Sequence, residues 1–530
     1  MSRDLLLFPA CLAGQVRVPP SKSVAHRALL CAALAQGGAS VVHNIAASDD
    51  ILATLQGAVA LGARLKRTGD TVEVHSAAPY ARQDGDPALI DCKESGSTLR
   101  FLLPIALALG CPVRMIGQGN LGKRPLDAYF HIIREQGIPF EATEGKLDLT
   151  LRGRLRPGVF HLPGNVSSQY ITGLLLALPL LDGPSQIVVE GPLESKGYLD
   201  LTLQVMQAFG AGVSHDAYRI FEVSPGGYRP ADYIVEGDYS QAAFFLAAGA
   251  LAGIRQSMME GGDAAGTPAE AVSESRDNAD NRRTTLETGD TAGGLECTTD
   301  ALAGVPGAAL GVDGAAAAAT SQGASDARRH ASAPENSPSS EDGNTGLRIA
   351  GLRPDSAQGD RAVCDILRRM GAQVEWDAQG NLCCTARRLH GCVIDAAQYP
   401  DIIPVLAAVA CACEGETHIV NAGRLRIKEC DRLHAVASEL TCLGAAVQEG
   451  TDDLRIAGRP EQGLPLLGGK EAWSHGDHRM AMTLAVAAAV CERPFVLRDY
   501  PCVRKSYPDF FEDYHRLGGV YDELDLGKQM

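Results

Sequence analysis

Several stretches of this chain set small, hydroxyl or basic residues at the start of an Ala- and Leu-rich segment. Ser21-Lys22-Ser23 with His26-Arg27 is one, and Gly96-Ser97-Thr98-Leu99-Arg100 another. Gly164-Asn165-Val166-Ser167-Ser168-Gln169 and Gly476-Asp477-His478-Arg479 are two more. Helix N-termini attract anions through free backbone N–H groups and the helix dipole. One such start is usually a plain N-cap. Four on one scaffold suggest helix ends aimed at a shared anionic ligand. Further basic groups stand in Lys123-Arg124-Pro125, in Arg424-x-Arg426-x-Lys428-Glu429-Cys430-Asp431-Arg432 and in Arg504-Lys505. Arginine forks suit bidentate binding of phosphate and carboxylate. The densest cluster follows a strand-like run, Thr417 to Val420, where catalytic groups often lie, although it also fits a solvated helix face. Asp401 follows Tyr399-Pro400 just ahead of a helix, and spacing alone also fits an N-cap there.

These residues need a scaffold, and the scaffold repeats. Apolar helical segments open near Lys22, Ser97, Ser167, Tyr239, Asp401 and His478. Amphipathic segments end at Gly62, Gly137, Gly210, Gly371, Gly444 and Gly518, where Gly suits the left-handed C-cap. Both series share a period of about 73 residues, far longer than a solenoid repeat. Strand-like runs such as Gln186 to Val189 and Leu347 to Ile349 lie between them. The unit is therefore strands plus two helices, in six copies. One interval in each series is too long by about 88 residues. The excess falls between Gly253 and Leu347, in a stretch rich in Ala, Gly, Ser, Thr and Asp, and reads as a disordered insertion.

The chain has 530 residues and a formal charge of −16. An acidic balance argues against nucleic acid or an anionic membrane as the main partner, so an anionic substrate needs local basic clusters. Fifteen Cys lack CxxC or zinc-ligand spacing and read as reduced thiols of a cytoplasmic protein. Met1 to Ala13 lacks the basic and apolar regions of a signal peptide. No apolar run is expected to reach the roughly 20 residues that span a bilayer.

In order along the chain stand Lys22-Ser23-x₃-Arg27, Glu94-Ser-Gly-Ser-Thr98 with Arg100, Gly122-Lys-Arg-Pro125, Ser167-Ser-Gln169 and Ser195-Lys-x-Tyr198. They continue with Glu236-Gly-Asp238, Arg426-x-Lys-Glu-x-Asp-Arg432, Asp477-His-Arg479 and Lys505-x₂-Pro-Asp509. This succession resembles the signatures of the EPSP synthases, within the enolpyruvyl transferases, over all of the chain but the insertion. The resemblance implies an α/β, two-domain enolpyruvyl transferase fold of six βαβαββ-type repeats, three per domain. It implies a first globular domain at 20–236 and a second at 237–253 with 346–530, which 1–19 joins. The insertion is then 254–345.

The family reaction joins phosphoenolpyruvate to the 5-hydroxyl of shikimate 3-phosphate and releases phosphate, without metal or organic cofactor. By resemblance Lys22, Ser23, Arg27, Ser167, Ser168, Gln169, Ser195, Asp401 and Lys428 face shikimate 3-phosphate. Lys22, Gly96, Arg124, Gln169, Arg432, Arg479 and Lys505 face phosphoenolpyruvate. Asp401 is the implied base and Glu429 the acid that protonates C3, with Lys22 assisting. Carboxylates do this near neutral pH if the site raises their pKa values. Clustered cations from both halves of the chain should hold the halves apart until phosphates arrive. A cytoplasmic monomer, with no nucleic acid or membrane partner, is expected. The chain departs from the family pattern at Glu94-Ser95-Gly96-Ser97, Phe101, Arg424 (often Asn) and Cys430, which leaves glyphosate response and affinities open. The rival acceptor is UDP-N-acetylglucosamine, whose transferases usually open with Lys-Asn and carry a reactive Cys in a Gly-rich loop; Lys22-Ser23 and Ser167-Ser-Gln169 favour the shikimate side. An inactive binding homologue is the other rival, against which intact Asp401, Glu429, Lys22 and Arg124 speak.

Overall fold

A computed structural model of the chain describes residues 3–76, 86–263, 346–458 and 464–524. In chain order the α-helices are α1 (Lys22–Leu34), α2 (Asp49–Ala60), α3 (Gly96–Leu109), α4 (Asp127–Glu135), α5 (Ser168–Ala177), α6 (Lys196–Ala208), α7 (Tyr239–Asp263), α8 (Ala362–Arg369), α9 (Ile403–Ala410), α10 (Arg432–Cys442), α11 (His478–Ala487) and α12 (Phe510–Arg516). The odd-numbered helices are the apolar series and the even-numbered ones the amphipathic series, alternating as the repeat requires. Between them, among the described residues, lie six four-stranded sheets. In one, Val159–Pro163 runs parallel to Ser185–Glu190, and Ile220–Val223 and Val213–Asp216 follow antiparallel. Three sheets borrow a strand from far along the chain. Asp232–Ile234 pairs with Ala39–His43, Gly14–Arg17 pairs with Leu347–Ala350, and Asp4–Phe8 lies between Phe495–Arg498 and Val520–Leu524.

The apolar side chains form two separate cores. One gathers buried residues from Val24 to Val235. The other gathers residues from Leu5 to Val18, from Tyr239 to Ile254 and from Leu347 to Leu517. Where the chain passes from one to the other its two strands run side by side. The Ser21 N–H donates to the Glu236 carbonyl at 2.7 Å and the Asp238 N–H to the Pro19 carbonyl at 2.9 Å.

Two features hold α3 close against α5. Pro104 lies inside α3 and has no N–H for the carbonyl of Arg100, four residues back. The Tyr129 hydroxyl takes the missing donor's place, 2.7 Å from that oxygen. Gly173 lets α5 come close enough to complete the arrangement, since a Cβ there would stand 2.2 Å from both the Arg100 oxygen and the Tyr129 hydroxyl.

α7 differs from the sequence reading in two ways. It runs to Asp263 rather than ending near Gly253, so 254–263 belong to a helix and not to the insertion. Gly253 lies inside this helix, and a Cβ there would lie 2.3 Å from the Ala386 carbonyl, so it serves close approach of helix to strand. The stretch Tyr239–Met259 is also long and apolar enough to cross a membrane, contrary to the expectation, but 67% of its apolar window is buried in the fold. It is the central helix of the second core. The rest of the expected insertion, 264–345, lies outside the described residues. No disulfide joins two of the fourteen described cysteines.

Candidate functional site

The starts of α1, α3, α5 and α11 converge on one cavity of about 1000 Å³, open to solvent, as the polar openings of those helices suggested. They bring Lys22 and Ser23, Gly96 and Ser97, Ser167 and Ser168, and His478 and Arg479 to its wall. Connecting segments add Arg124, Ser195, Asp401, Lys428 and Glu429. Of the fifteen expected site residues, thirteen line this cavity; Arg432 and Lys505 do not. Seven Lys and Arg side chains line it against three carboxylates, a surplus of four positive charges in a chain of net charge −16. Such focusing in a cleft draws anions to it.

Arg432 lies behind the wall, 1% exposed, and ties the acidic groups together. Its Nη1 reaches Asp401 at 2.8 Å, its Nη2 reaches Glu429 at 2.5 Å, and its Nε reaches Asp477 at 2.6 Å. Asp477 also caps α11, accepting from the Arg479 N–H at 2.9 Å. Asp401 is no N-cap, because Ile402 holds that position. Its carboxylate instead meets Lys428 at 3.3 Å, Arg479 at 3.4 Å and the Tyr198 hydroxyl at 2.8 Å. Glu429 also faces Arg124 at 3.3 Å.

These neighbours decide the titration. Burial pushes the Asp401 carboxyl up, but Arg479, Lys428 and Arg432 outweigh it and hold it well below the usual range. Burial likewise opposes ionisation of Glu429, and Arg432, Arg124 and Lys505 reverse it. The condition that the site raise these values is not met by the protein's own groups: the surrounding guanidinium and ammonium groups favour the charged carboxylates. Lys428 is shifted down, by burial first, with Arg424 and Arg432 adding to it. Burial keeps His478 neutral, and neither of its ring nitrogens has a hydrogen-bond partner among the described residues.

Around this centre each expected residue has a definite setting. Lys22 pairs with Asp50 at 2.7 Å, and its backbone N–H donates to Asp238 at 3.0 Å. Arg27 is buried and donates to Thr202 at 2.8 Å and to the carbonyls of Ser23 and Tyr198 at 2.6 and 3.0 Å. Gly96 is glycine for a steric reason: a Cβ would stand 2.8 Å from the guanidinium groups of both Arg100 and Arg124. Gln169 accepts from Arg100 at 2.8 Å and donates to Ser97 at 3.0 Å. Lys505 faces Glu94 at 3.3 Å in an adjoining hollow and acts on Glu429 and Asp50 through its charge.

Sequence reasoning missed the counter-ions. Asp50, Glu94 and Glu194 pair with cations of the site, and Asp360 meets Tyr198 at 3.1 Å. Glu94 opens one of the quoted motifs without a role being read for it, and no motif marks the other three. These carboxylates, with Asp401 and Glu429, interleave with cations of both halves. The halves therefore meet in the structure across paired charges rather than across bare cations. A phenol has one hydrogen, so Tyr198 can donate to only one of its two carboxylates. Burial, reinforced by Asp401, pushes Asp360 up to about 6, which makes it the group that takes a proton first. Among the described residues no cluster of three or more His, Cys, Asp or Glu is arranged to hold a metal ion.

A doubled, sixfold α/β scaffold whose helix starts enclose an Arg- and Lys-lined pocket around two linked carboxylates is built to bind small polyanions beside groups that can move protons. The family model described as EPSP synthase (3-phosphoshikimate 1-carboxyvinyltransferase) matches residues 8–268 and 343–514. A Clostridium beijerinckii protein named 3-phosphoshikimate 1-carboxyvinyltransferase is 41% identical over 530 residues, covering 99% of this chain and 100% of the relative. A Clostridioides difficile protein of the same name is 40% identical, with coverage of 99% and 100%. The chain belongs to the EPSP synthase family. Among solved structures, an Acinetobacter baumannii EPSP synthase shares the fold at a TM-score of 0.68 and 20% identity, covering 99% of this chain and 100% of that one. The enolpyruvyl transferase NikO from Streptomyces tendae does so at 0.66 and 17%, with coverage of 98% and 99%.

Proposed function

We propose that this enzyme transfers the enolpyruvyl group of phosphoenolpyruvate to the 5-hydroxyl of shikimate 3-phosphate, and that Asp401 and Glu429 move the protons. The observation that carries this is the pair of carboxylates held on one buried guanidinium, Asp401 at 2.8 Å and Glu429 at 2.5 Å from Arg432, beside a cation-rich cavity. Ser23, Arg27, Ser167, Ser168, Ser195 and Lys428 take the acceptor. Lys22, Gly96, Arg124, Gln169, Arg432, Arg479 and Lys505 serve the donor. Asp401 and Gln169 touch the acceptor as well, and Lys22 spans both.

The acceptor's 5-oxygen attacks C2 of phosphoenolpyruvate, its proton passing to Asp401, while Glu429 gives a proton to C3. The tetrahedral adduct then loses inorganic phosphate as the C2–O bond breaks, and C3 gives a proton back. Both carboxylates are held charged by the surrounding cations. The donor's carboxylate and phosphate neutralise Arg124 and Lys505 when they bind, which lifts Glu429 toward a value useful to an acid. We read the enzyme as a cytoplasmic monomer that works without metal or cofactor. One domain spans 20–236, and the other spans 237–263 with 346–530, joined by 1–19. Phosphate release measured with phosphoenolpyruvate and either shikimate 3-phosphate or UDP-N-acetylglucosamine tests the reading. Release with the first acceptor alone is expected; release with only the second would overturn it.

A further inference from the structure

Arg424 belongs to none of the groups assigned above, yet it lines the same cavity as Ser195, Ser168 and Lys428. It lies in the short turn Gly423–Ile427 that follows the strand Glu416–Val420. Its Nη1 is 3.0 Å from the Glu194 carboxylate and 3.0 Å from the Ser195 hydroxyl. Its buried Nε has no partner among the described residues. Ser195 stands at the start of α6 in the left-handed region, φ 57°, and its hydroxyl does not cap that helix. A serine adopts this backbone rarely. Here it turns the hydroxyl to Arg424 instead of to its own helix.

Glu194 is an awkward partner for this arginine. Asp395 and Asp452 lie close enough to oppose its charge, and Arg424 is the group that offsets them. The pair is only partly exposed, 12% for Arg424 and 22% for Glu194, so water screens it weakly. A phosphate dianion at Ser195 offers the guanidinium two negative oxygens in fork geometry, more than one crowded carboxylate can give. Glu194 has solvent on one side to retreat to.

We propose that Arg424 is a phosphate ligand on an exchangeable counter-ion: the 3-phosphate of the acceptor takes the guanidinium from Glu194, and this exchange sets the preference for a phosphorylated acceptor. The proposal rests on the reading that Ser168 and Ser195 face that phosphate. An acceptor without phosphate cannot displace Glu194 and gains nothing from Arg424. Glu194 is then a tuning group: it weakens phosphate binding by holding the arginine back.

The test is calorimetric binding of shikimate 3-phosphate and of unphosphorylated shikimate to the full chain. The variants are Arg424→Ala, Glu194→Gln, the charge-neutral double change Glu194→Gln with Arg424→Asn, and Ser168→Ala. Melting curves confirm that each is folded. Loss of one charge-assisted ligand should weaken shikimate 3-phosphate about tenfold to a hundredfold in Arg424→Ala and in the double variant, with shikimate moved less than about twofold. Glu194→Gln should tighten shikimate 3-phosphate by about threefold or more, since the competing carboxylate is gone. Equal weakening of both ligands in Arg424→Ala, or weaker shikimate 3-phosphate binding in Glu194→Gln, would overturn the proposal. If Ser168→Ala alone erodes the preference, the subsite stands and the role of Arg424 falls. If neither Ser168→Ala nor Arg424→Ala erodes it, the subsite reading falls with the proposal.

Discussion

Replacing Asp477 by Asn removes one charge from the most buried ionic group of the site and little else. Asp477 is 0% exposed and Arg432 1% exposed, so solvent cannot take over the lost interaction. Breaking a buried ion pair from one side costs about 3–5 kcal/mol, because the remaining charge is left without compensation. Arg432 keeps Asp401 and Glu429, which places the cost at the low end, about 3 kcal/mol. The cap on α11 survives, since Asn accepts from the Arg479 N–H as well as Asp does. Asp477→Ala loses the cap too and should cost about 1 kcal/mol more. At about 2–4 °C per kcal/mol for a unit of 150–250 residues, Asp477→Asn should melt about 6–12 °C below the wild type. Differential scanning calorimetry at pH 7 reads this directly. An Asn variant melting within about 2 °C of the wild type would refute the view that this node is held by compensated charge.

Asp401→Ala should lower kcat by about 10²–10⁴, the usual contribution of a general base, with a much smaller change in substrate binding; near-normal turnover would remove Asp401 from that role. Asp360→Asn tests the carboxyl pushed up to about 6. A raised carboxyl contributes stability that is fully present below about pH 4 and is lost as pH rises through 6, at about 3 kcal/mol for two units. The Asn variant should therefore melt higher than the wild type at pH 8 and about equally at pH 4; a lower melting point at pH 8 would contradict the assignment. Replacing 264–342 by a short Gly-Ser linker should leave kcat within about threefold and stability no lower, since loop-closure entropy grows slowly with length. A large drop in kcat/KM in that variant would mean the segment contributes to catalysis.

Much of this was legible in the sequence because it is periodic or local. Gly62, Gly137 and Gly210 end amphipathic helices where helix ends need them, at φ 97°, 67° and 76°. The polar starts of α1, α3, α5 and α11 pointed at one cavity, because helix ends and N-caps are set by neighbours in sequence. What stayed hidden depends on distant partners. Gly253 looked like a helix stop, yet its role is set by the Ala386 carbonyl, 133 residues on. The depressed carboxyls of Asp401 and Glu429 follow from five cations, Arg124 of the first half and Lys428, Arg432, Arg479 and Lys505 of the second, which no local window contains. Counter-ions such as Asp50 and Glu194 sit in ordinary sequence and acquire meaning only beside Lys22 and Arg424.

The claim that Glu429 supplies the proton to C3 is tested most directly by the mass of product formed in deuterium oxide. Protonation turns the methylene of phosphoenolpyruvate into a methyl group, which rotates before a hydrogen is lost. The wild type should therefore place solvent deuterium in the vinyl group of the product. Glu429→Gln has no acidic proton to give, and should form product about 10²–10⁴ times more slowly, with no deuterium entering recovered phosphoenolpyruvate. Deuterated product from Glu429→Gln at near the wild-type rate would contradict the account.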